Sequence, residues 1–106
     1  MHCQGFYPEA PQHILKVGKT IPFLRIVVDN PSHDLTLLVR TPEGQWVCND
    51  DSQDPSTPFN PLIDLTNLRG EVEIYVGAFE RDGVGASYTL GITEDPGYYG
   101  SSLRGD

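Results

Sequence analysis

Carboxylate and amide side chains are concentrated in one stretch near the middle of the sequence. Residues 49–61 read Asn-Asp-Asp-Ser-Gln-Asp-Pro-Ser-Thr-Pro-Phe-Asn-Pro, and the prolines exclude both helix and strand pairing there. Calcium takes about six to eight oxygen ligands on backbone that can curl around the ion. The sequence therefore predicts a calcium site in this loop and at the head of an adjacent strand, with the ligands Asp34, Asn49, Asp50, Asp51, Asp54 and Asn60.

The spacing of these residues is not that of an EF-hand. Counted from Asp50, Pro55 stands where an EF-hand needs glycine, and Pro61 stands where it needs glutamate. Asp and Asn also form turns by bonding to their own backbone, so the loop has a second interpretation as a turn-rich connection without metal.

No arrangement of residues points to catalysis. The histidines His2, His13 and His33 each lie beside an expected strand end or a terminus, and the Gly-x-Ser-x-Gly and His-Glu-x-x-His motifs are absent. The pair Glu71 and Glu73 has the spacing of one solvent-facing side of a strand. The sequence therefore predicts that the protein is not an enzyme.

Length and charge narrow the class of partner. The chain has 106 residues, which is one domain, and its formal net charge is −8. That charge disfavours nucleic acid and anionic lipid as partners and favours cations. A second interpretation is that the charge only keeps the protein soluble. No apolar run approaches the roughly 18 residues of a membrane helix. Residues 1–4 show no signal-peptide pattern, which leaves open a cytosolic chain or an exported one that has lost its leader.

Apolar alternation predicts an all-β fold. Val72, Ile74 and Val76 alternate with polar neighbours, as do Leu90 and Ile92, and we expect these two strands to be antiparallel neighbours. The expected strands are 13–17, 23–28, 35–39, 45–48, 62–65, 71–79 and 88–93. About seven to eight short strands favour a single-domain antiparallel β-sandwich, jelly-roll-like, over residues 1–95, followed by a flexible tail at 96–106.

The same pattern predicts which side chains are buried. The expected core comprises Leu35, Leu37, Val72, Ile74, Val76, Tyr88 and Leu90, and the expected exposed residues are Glu71, Glu73 and Thr89. Tyr75 is expected on the solvent face, where it could join Trp46, Tyr98 and Tyr99 in an aromatic platform for carbohydrate or protein.

Several short segments occur in the order of a known family. They are residues 34–37, 41–44, 48–52, 60–61, 74–77 and 88–94. Together they resemble the bacterial pre-peptidase C-terminal domain group, in particular a secreted variant with an early Cys-x-Gly and a later Cys-Asn-Asp-Asp. Cys3-Gln4-Gly5 and residues 48–51 match these two motifs. The resemblance covers residues 3–94, and the last residues match nothing in it.

The resemblance implies a secreted, non-catalytic sandwich module, and some members of the group bind calcium. It also implies a disulfide between Cys3 and Cys48 and an oxidising compartment, against the alternative of two reduced cysteines. Such a bridge closes a loop of about 46 residues, which corresponds to roughly 4 kcal/mol of loop entropy.

The expected partners are a secreted or surface protein or a polysaccharide, without nucleic acid or a membrane span. Two alternatives stay open: a metal-free protein-binding module of the adhesin, matrix or inhibitor kind, and a cytosolic calcium-buffering protein. The terminal Arg104-Gly105-Asp106 matches an integrin-type adhesion tripeptide, but three-residue matches also arise by chance.

Overall fold

The computed structural model describes residues 5–30, 34–49, 61–78 and 81–98 and is all-β. Its strands form one antiparallel sheet in the order β3-β2-β4-β1-β5, and a 3-10 turn, Arg81–Gly83, precedes the last strand. Within these residues no helix has the length and apolar character needed to cross a membrane. The strands are β1 His13–Asp29, β2 Leu35–Arg40, β3 Trp46–Asn49, β4 Leu62–Ala78 and β5 Thr89–Thr93.

Two strands are much longer than the sequence pattern predicts. β1 and β4 each have 17 residues and pair with each other, from His13 opposite Ile74 to Val27 opposite Leu62. The expected strands 13–17 and 23–28 are two parts of β1, just as 62–65 and 71–79 fall largely within β4. The described residues therefore form five strands instead of seven or eight.

Glycines inside the long strands mark irregular positions, not strand ends. The β1–β4 register shifts between Val17 and Ile21, which are separated by Gly18, Lys19 and Thr20. On β4, Gly70 has a φ of +113°, and a Cβ at this position would lie 2.9 Å from the Cβ of Pro42. Both features are those of a β-bulge, at which a strand bends without ending.

The last strand does not pair with β4, so the predicted pairing of the two strands was wrong. β5 pairs with the second half of β1, from Arg25 opposite Thr93 to Asp29 opposite Thr89. The second half of β4 already has β1 along one side and β2 along the other. A strand has only two edges that can form hydrogen bonds, so β5 finds its free edge on β1.

One cluster of buried apolar side chains contains residues from both halves of the long strands. The predicted core residues Leu35, Leu37, Val72, Ile74 and Val76 are buried, which confirms those assignments, whereas Tyr88 and Leu90 are only partly buried. Glu71 and Thr89 are exposed as expected, and Glu73 is half-buried. The cluster comprises Val17, Leu24, Ile26, Val28, Leu35, Leu37, Val39, Ile63, Leu65, Leu68, Val72, Ile74, Val76 and Ala78.

The opposite face of the sheet is also partly covered. Tyr75 was predicted to be solvent-facing, but only 8% of it is exposed, and it lies opposite Leu38, which is also buried. The Trp46 ring is 5.6 Å from the Tyr75 ring. The prediction for Tyr75 was wrong because alternation identifies which residues share a face but not what covers that face.

Arg25 holds the chain after β5 against the sheet. Its Nε and Nη2 donate to the two carboxylate oxygens of Asp64, at 2.7 and 3.0 Å. Its Nη1 donates to the carbonyls of Pro96 and Tyr98, at 2.6 and 3.1 Å. The planar guanidinium suits this arrangement, because it offers several N–H groups in fixed directions. Residues 96–98, assigned from the sequence to the tail, thus contact the domain.

Replacing Ile74 with alanine should lower the free energy of unfolding by roughly 2–5 kcal/mol, because its side chain is fully buried. Ile14 is the matched control: it lies on the same pair of strands but is 53% exposed, so Ile14→Ala should cost less than about 1 kcal/mol. Urea unfolding of both variants checks this. Equal losses would contradict the assignment of Ile74 to the core.

Candidate functional site

The acidic loop is anchored at both of its ends. Asn49, the last residue of β3, accepts a hydrogen bond through its Oδ1 from the backbone N–H of Leu62, at 3.2 Å. Pro61 is buried, and its carbonyl accepts from the N–H of Val28 at 3.2 Å. Asn49, which precedes the loop, is therefore held to Leu62, the first residue of β4 after it.

Two of the predicted calcium ligands lie in the described part of the chain, at the same end of the sheet. Asp34 is half-buried and directly precedes β2, and Asn49 ends β3 opposite Leu37. β2 and β3 are antiparallel, so the start of one lies beside the end of the other. The other predicted ligands, Asp50, Asp51, Asp54 and Asn60, fall outside the described residues.

The described residues do not form a complete cation site by themselves. No group of three or more His, Cys, Asp or Glu side chains among them is close enough to hold a metal ion. Asp34 and Asn49 carry oxygen donors, which is the chemistry calcium uses, but Asn49 already accepts a backbone hydrogen bond. A calcium site here would depend on the carboxylates of the loop.

The N-terminal segment lies across β2 and β4. Phe6 exchanges two backbone hydrogen bonds with Ala78, of 2.8 and 3.1 Å. A Cβ on Gly77 would lie 2.5 Å from the Phe6 carbonyl oxygen and 2.9 Å from the Thr36 Oγ1. Glycine at position 77 is therefore what allows the segment to approach the sheet this closely.

Cys48 lies on the face that this segment crosses. Cys48 is half-buried on β3, opposite Leu38 of β2. Thr36 is two residues from Leu38 and therefore on the same face, and a Cβ on Gly5 would lie 3.2 Å from the Thr36 Oγ1. Within the described residues there is no free cysteine. Cys3, two residues before Gly5, falls outside them. Its pairing with Cys48 stays a prediction that this arrangement favours.

His13 and Tyr88 connect the start of β1 to the residue before β5, a strand that pairs with the other half of β1. The His13 Nε2 and the Tyr88 hydroxyl are 2.8 Å apart, and the rings meet edge to face at 5.8 Å. Burial raises the pKa of the Tyr88 hydroxyl above its ordinary value, which is itself well above neutral pH. The pair therefore joins the first half of β1 to the start of β5 and offers no phenolate.

A groove of about 420 Å³ opens beside this pair. The Gln12 carboxamide forms part of its lining: its Nε2 donates to the Val76 carbonyl at 2.7 Å, and its Oε1 accepts from the Val76 N–H at 2.9 Å. Phe6 and Val84, which are 44% and 59% exposed, also line the groove. No sequence pattern predicts this groove, because residues 6–12 and 83–88 meet only in the folded chain.

The predicted aromatic platform is only partly assembled. Trp46 is exposed, and the guanidinium carbon of Arg40 lies 5.6 Å from its ring centroid. Tyr75 is largely covered by its neighbours, and Tyr98 follows β5 and is held to β1 through its carbonyl. β2 and β4 separate β1 from β3, which carries Trp46. Tyr99 falls outside the described residues.

Comparison with known proteins does not assign the chain to a family. It matches no protein-family model, and searches among curated proteins and solved structures returned no match.

If Cys3 and Cys48 are paired, reduction should add two hydrogen atoms to the intact protein, and mass spectrometry measures this gain directly. The native, unreduced protein should not react with an alkylating reagent. Two thiols that react freely without reductant would contradict the pairing. Cys48→Ser should lower the free energy of unfolding by roughly 2–5 kcal/mol, because the closed loop is lost.

The raised pKa of Tyr88 predicts a fall in stability at alkaline pH. Unfolded tyrosine loses its proton near pH 10, whereas the native hydroxyl keeps it to higher pH. The contribution is fully present below about pH 10 and is lost as the pH rises through the native pKa. Urea unfolding across this range should show a steeper fall for the wild type than for Tyr88→Phe. Parallel curves would exclude a raised pKa at Tyr88.

Proposed function

We propose that the chain is a non-catalytic, exported binding module that calcium stabilises, similar to the pre-peptidase C-terminal domain group. The observation that carries the proposal is the anchored acidic loop. Asn49 and Pro61 fasten the two ends of a segment that contains Asp50, Asp51 and Asp54, and the fastening occurs at the end of the sheet where Asp34 also lies.

Anchoring makes the loop a better receptor for a cation. Folding already brings the two ends of the loop together, so binding of an ion costs less conformational entropy. Three carboxylates on one short loop repel each other, and a divalent cation removes that repulsion. Asp34, Asn49 and Asn60 can then complete an oxygen-rich ligand set in the proposed site.

We infer that the sheet folds over on itself into a two-layer sandwich. The single core cluster takes side chains from both halves of the long strands, for example Val17 with Leu24 on β1 and Leu65 with Val76 on β4. The bulge on β1 supports this inference because bulges bend strands. The contact of His13 with Tyr88 would then fasten one layer to the other.

The position of Cys48 supports export. Gly5 lies near Thr36 on the face that carries Cys48, and Cys3 is two residues before Gly5 in the sequence. A disulfide there would hold the N-terminal segment over the sheet and would persist only in an oxidising compartment. Free thiols in the native protein would instead favour the cytosolic calcium-buffering alternative.

A metal-free module that binds an exported protein is the second candidate. The groove of about 420 Å³ beside Tyr88 favours it, because exposed apolar side chains, Phe6 and Val84, line a concave surface. A polysaccharide would instead use the exposed ring of Trp46. Nucleic acid is excluded from the proposal by the charge of −8.

Calcium should raise the melting temperature of the protein, and EDTA should lower it again. An ion at 100 times its dissociation constant adds roughly 2.7 kcal/mol to the free energy of unfolding when it binds only the folded form. Magnesium should have a smaller effect, because it holds its waters and requires a tight octahedron.

The double variant Asp50→Asn with Asp51→Asn should abolish the calcium response. Its matched control is Glu43→Gln with Glu71→Gln, which removes the same charge from exposed positions outside the loop. The control should respond as the wild type does. If calcium at millimolar concentration leaves the wild-type melting temperature unchanged, the loop is a turn-rich connection and the metal-free module is the better assignment.

A further inference from the structure

The strand β5 has an unpaired edge among the described residues. It is the last strand in the sheet order, and β1 lies along one side of it only. On β1, the N–H of Val28 donates to the carbonyl of Pro61, the residue before β4, so the backbone groups of Val28 point away from β5. Hydrogen-bonding directions alternate along a strand, so Val27 and its alternate neighbours bond to β5.

This alternation determines which β5 groups face outwards. Thr89, Gly91 and Thr93 are the partners of Asp29, Val27 and Arg25, so their backbone groups point towards β1. The N–H and C=O groups of Leu90 and Ile92 therefore point away from the sheet. Ile92 is also 42% exposed, which leaves an apolar side chain at the same edge.

The sequence of β5 is nearly the same read in either direction. Thr-Leu-Gly-Ile-Thr places Thr89 and Thr93 symmetrically around Gly91, and Leu90 and Ile92 likewise. The strand contains no charge and no proline, the residues that usually block an exposed edge. Antiparallel pairing of two identical copies about Gly91 thus matches threonine with threonine and leucine with isoleucine.

We propose that β5 is a self-association edge, which pairs antiparallel with β5 of a second copy about a twofold axis through Gly91. Leu90 of one copy exchanges two backbone hydrogen bonds with Ile92 of the other. By symmetry, Ile92 of the first copy does the same with Leu90 of the second. The two Gly91 residues make a pair without hydrogen bonds, at about 4.5 Å between Cα atoms. The contact is isologous, so it closes at a dimer.

The interface is small and the two copies repel each other. A pair of five-residue strands falls at the low end of specific interfaces, so the dimer is weak, with a dissociation constant of about 0.1–1 mM. Each copy carries a formal charge of −8, and salt screens repulsion between exposed charges. Dimerisation therefore strengthens as ionic strength rises.

Sedimentation equilibrium of the full chain over a range of concentrations tests the proposal. The wild type should shift from monomer towards dimer, and Ile92→Lys should stay monomeric because it places a charge at the paired edge. Ile14→Lys is the matched control, with the same charge change at an exposed isoleucine away from β5. It should dimerise as the wild type does. Loss of dimer in both variants overturns the proposal.

Hydrogen exchange of the wild type provides a measurement that needs no variant. The amide protons of Leu90 and Ile92 should be more protected at high than at low protein concentration, while that of Ile14 should not change. A wild type that stays monomeric to about 1 mM, or a dimer that leaves both β5 amides unprotected, overturns the proposal. Calcium binding is measured separately, and neither result depends on the other.

Discussion

The pairing of β1 with β4 is the constraint on which the rest of the structure depends. Each strand has 17 residues, and each uses one half of its second edge to hold another strand. β4 holds β2 beside its second half, and β1 holds β5 beside its own second half. Every described strand except β3 therefore forms a ladder of backbone hydrogen bonds with this pair, and β3 pairs with β2.

The long pair also determines where the chain can carry binding groups. The strands bury the apolar side chains of both halves in one cluster, so side-chain packing limits changes along β1 and β4. The loops that connect the strands are less constrained by packing. The acidic loop lies in the sequence between Asn49, the last residue of β3, and Leu62, the first residue of β4, and the Asn49 side chain accepts a hydrogen bond from the Leu62 N–H. A loop of this kind can vary in sequence without changing the core.

The termini cover surfaces that the sheet leaves open. β1 pairs with β4 only as far as Ile74. Beyond that point the N-terminal segment lies beside β4, and Phe6 forms both backbone hydrogen bonds of Ala78. Between Ile74 and Ala78, the Gln12 carboxamide forms hydrogen bonds with both the N–H and the C=O of Val76, as the backbone of a paired strand residue would. After β5, Arg25 holds Pro96 and Tyr98 through their carbonyls. These contacts protect backbone groups that would otherwise lie at an edge or be exposed to a partner.

The sequence by itself determined the all-β class, the location of most strands and the residues of the central core. Alternation along residues 71–76 places Val72, Ile74 and Val76 on one face whatever the neighbouring strands are, because the side-chain period of a strand is two. The clustering of oxygen donors in residues 49–60 is likewise a local property of the sequence. Such features depend on residues close to each other in the chain.

Only the tertiary structure decided which strands are neighbours and what covers each face. The sequence pattern could not show that Gly18 and Gly70 lie within continuous strands, since a bulge and a turn use the same residues. It could not show that β5 pairs with β1, because pairing depends on which edges remain free after the longer strands have paired. The contacts of Arg25 with Asp64 and of His13 with Tyr88 join residues 39 and 75 positions apart, and no local pattern encodes such contacts.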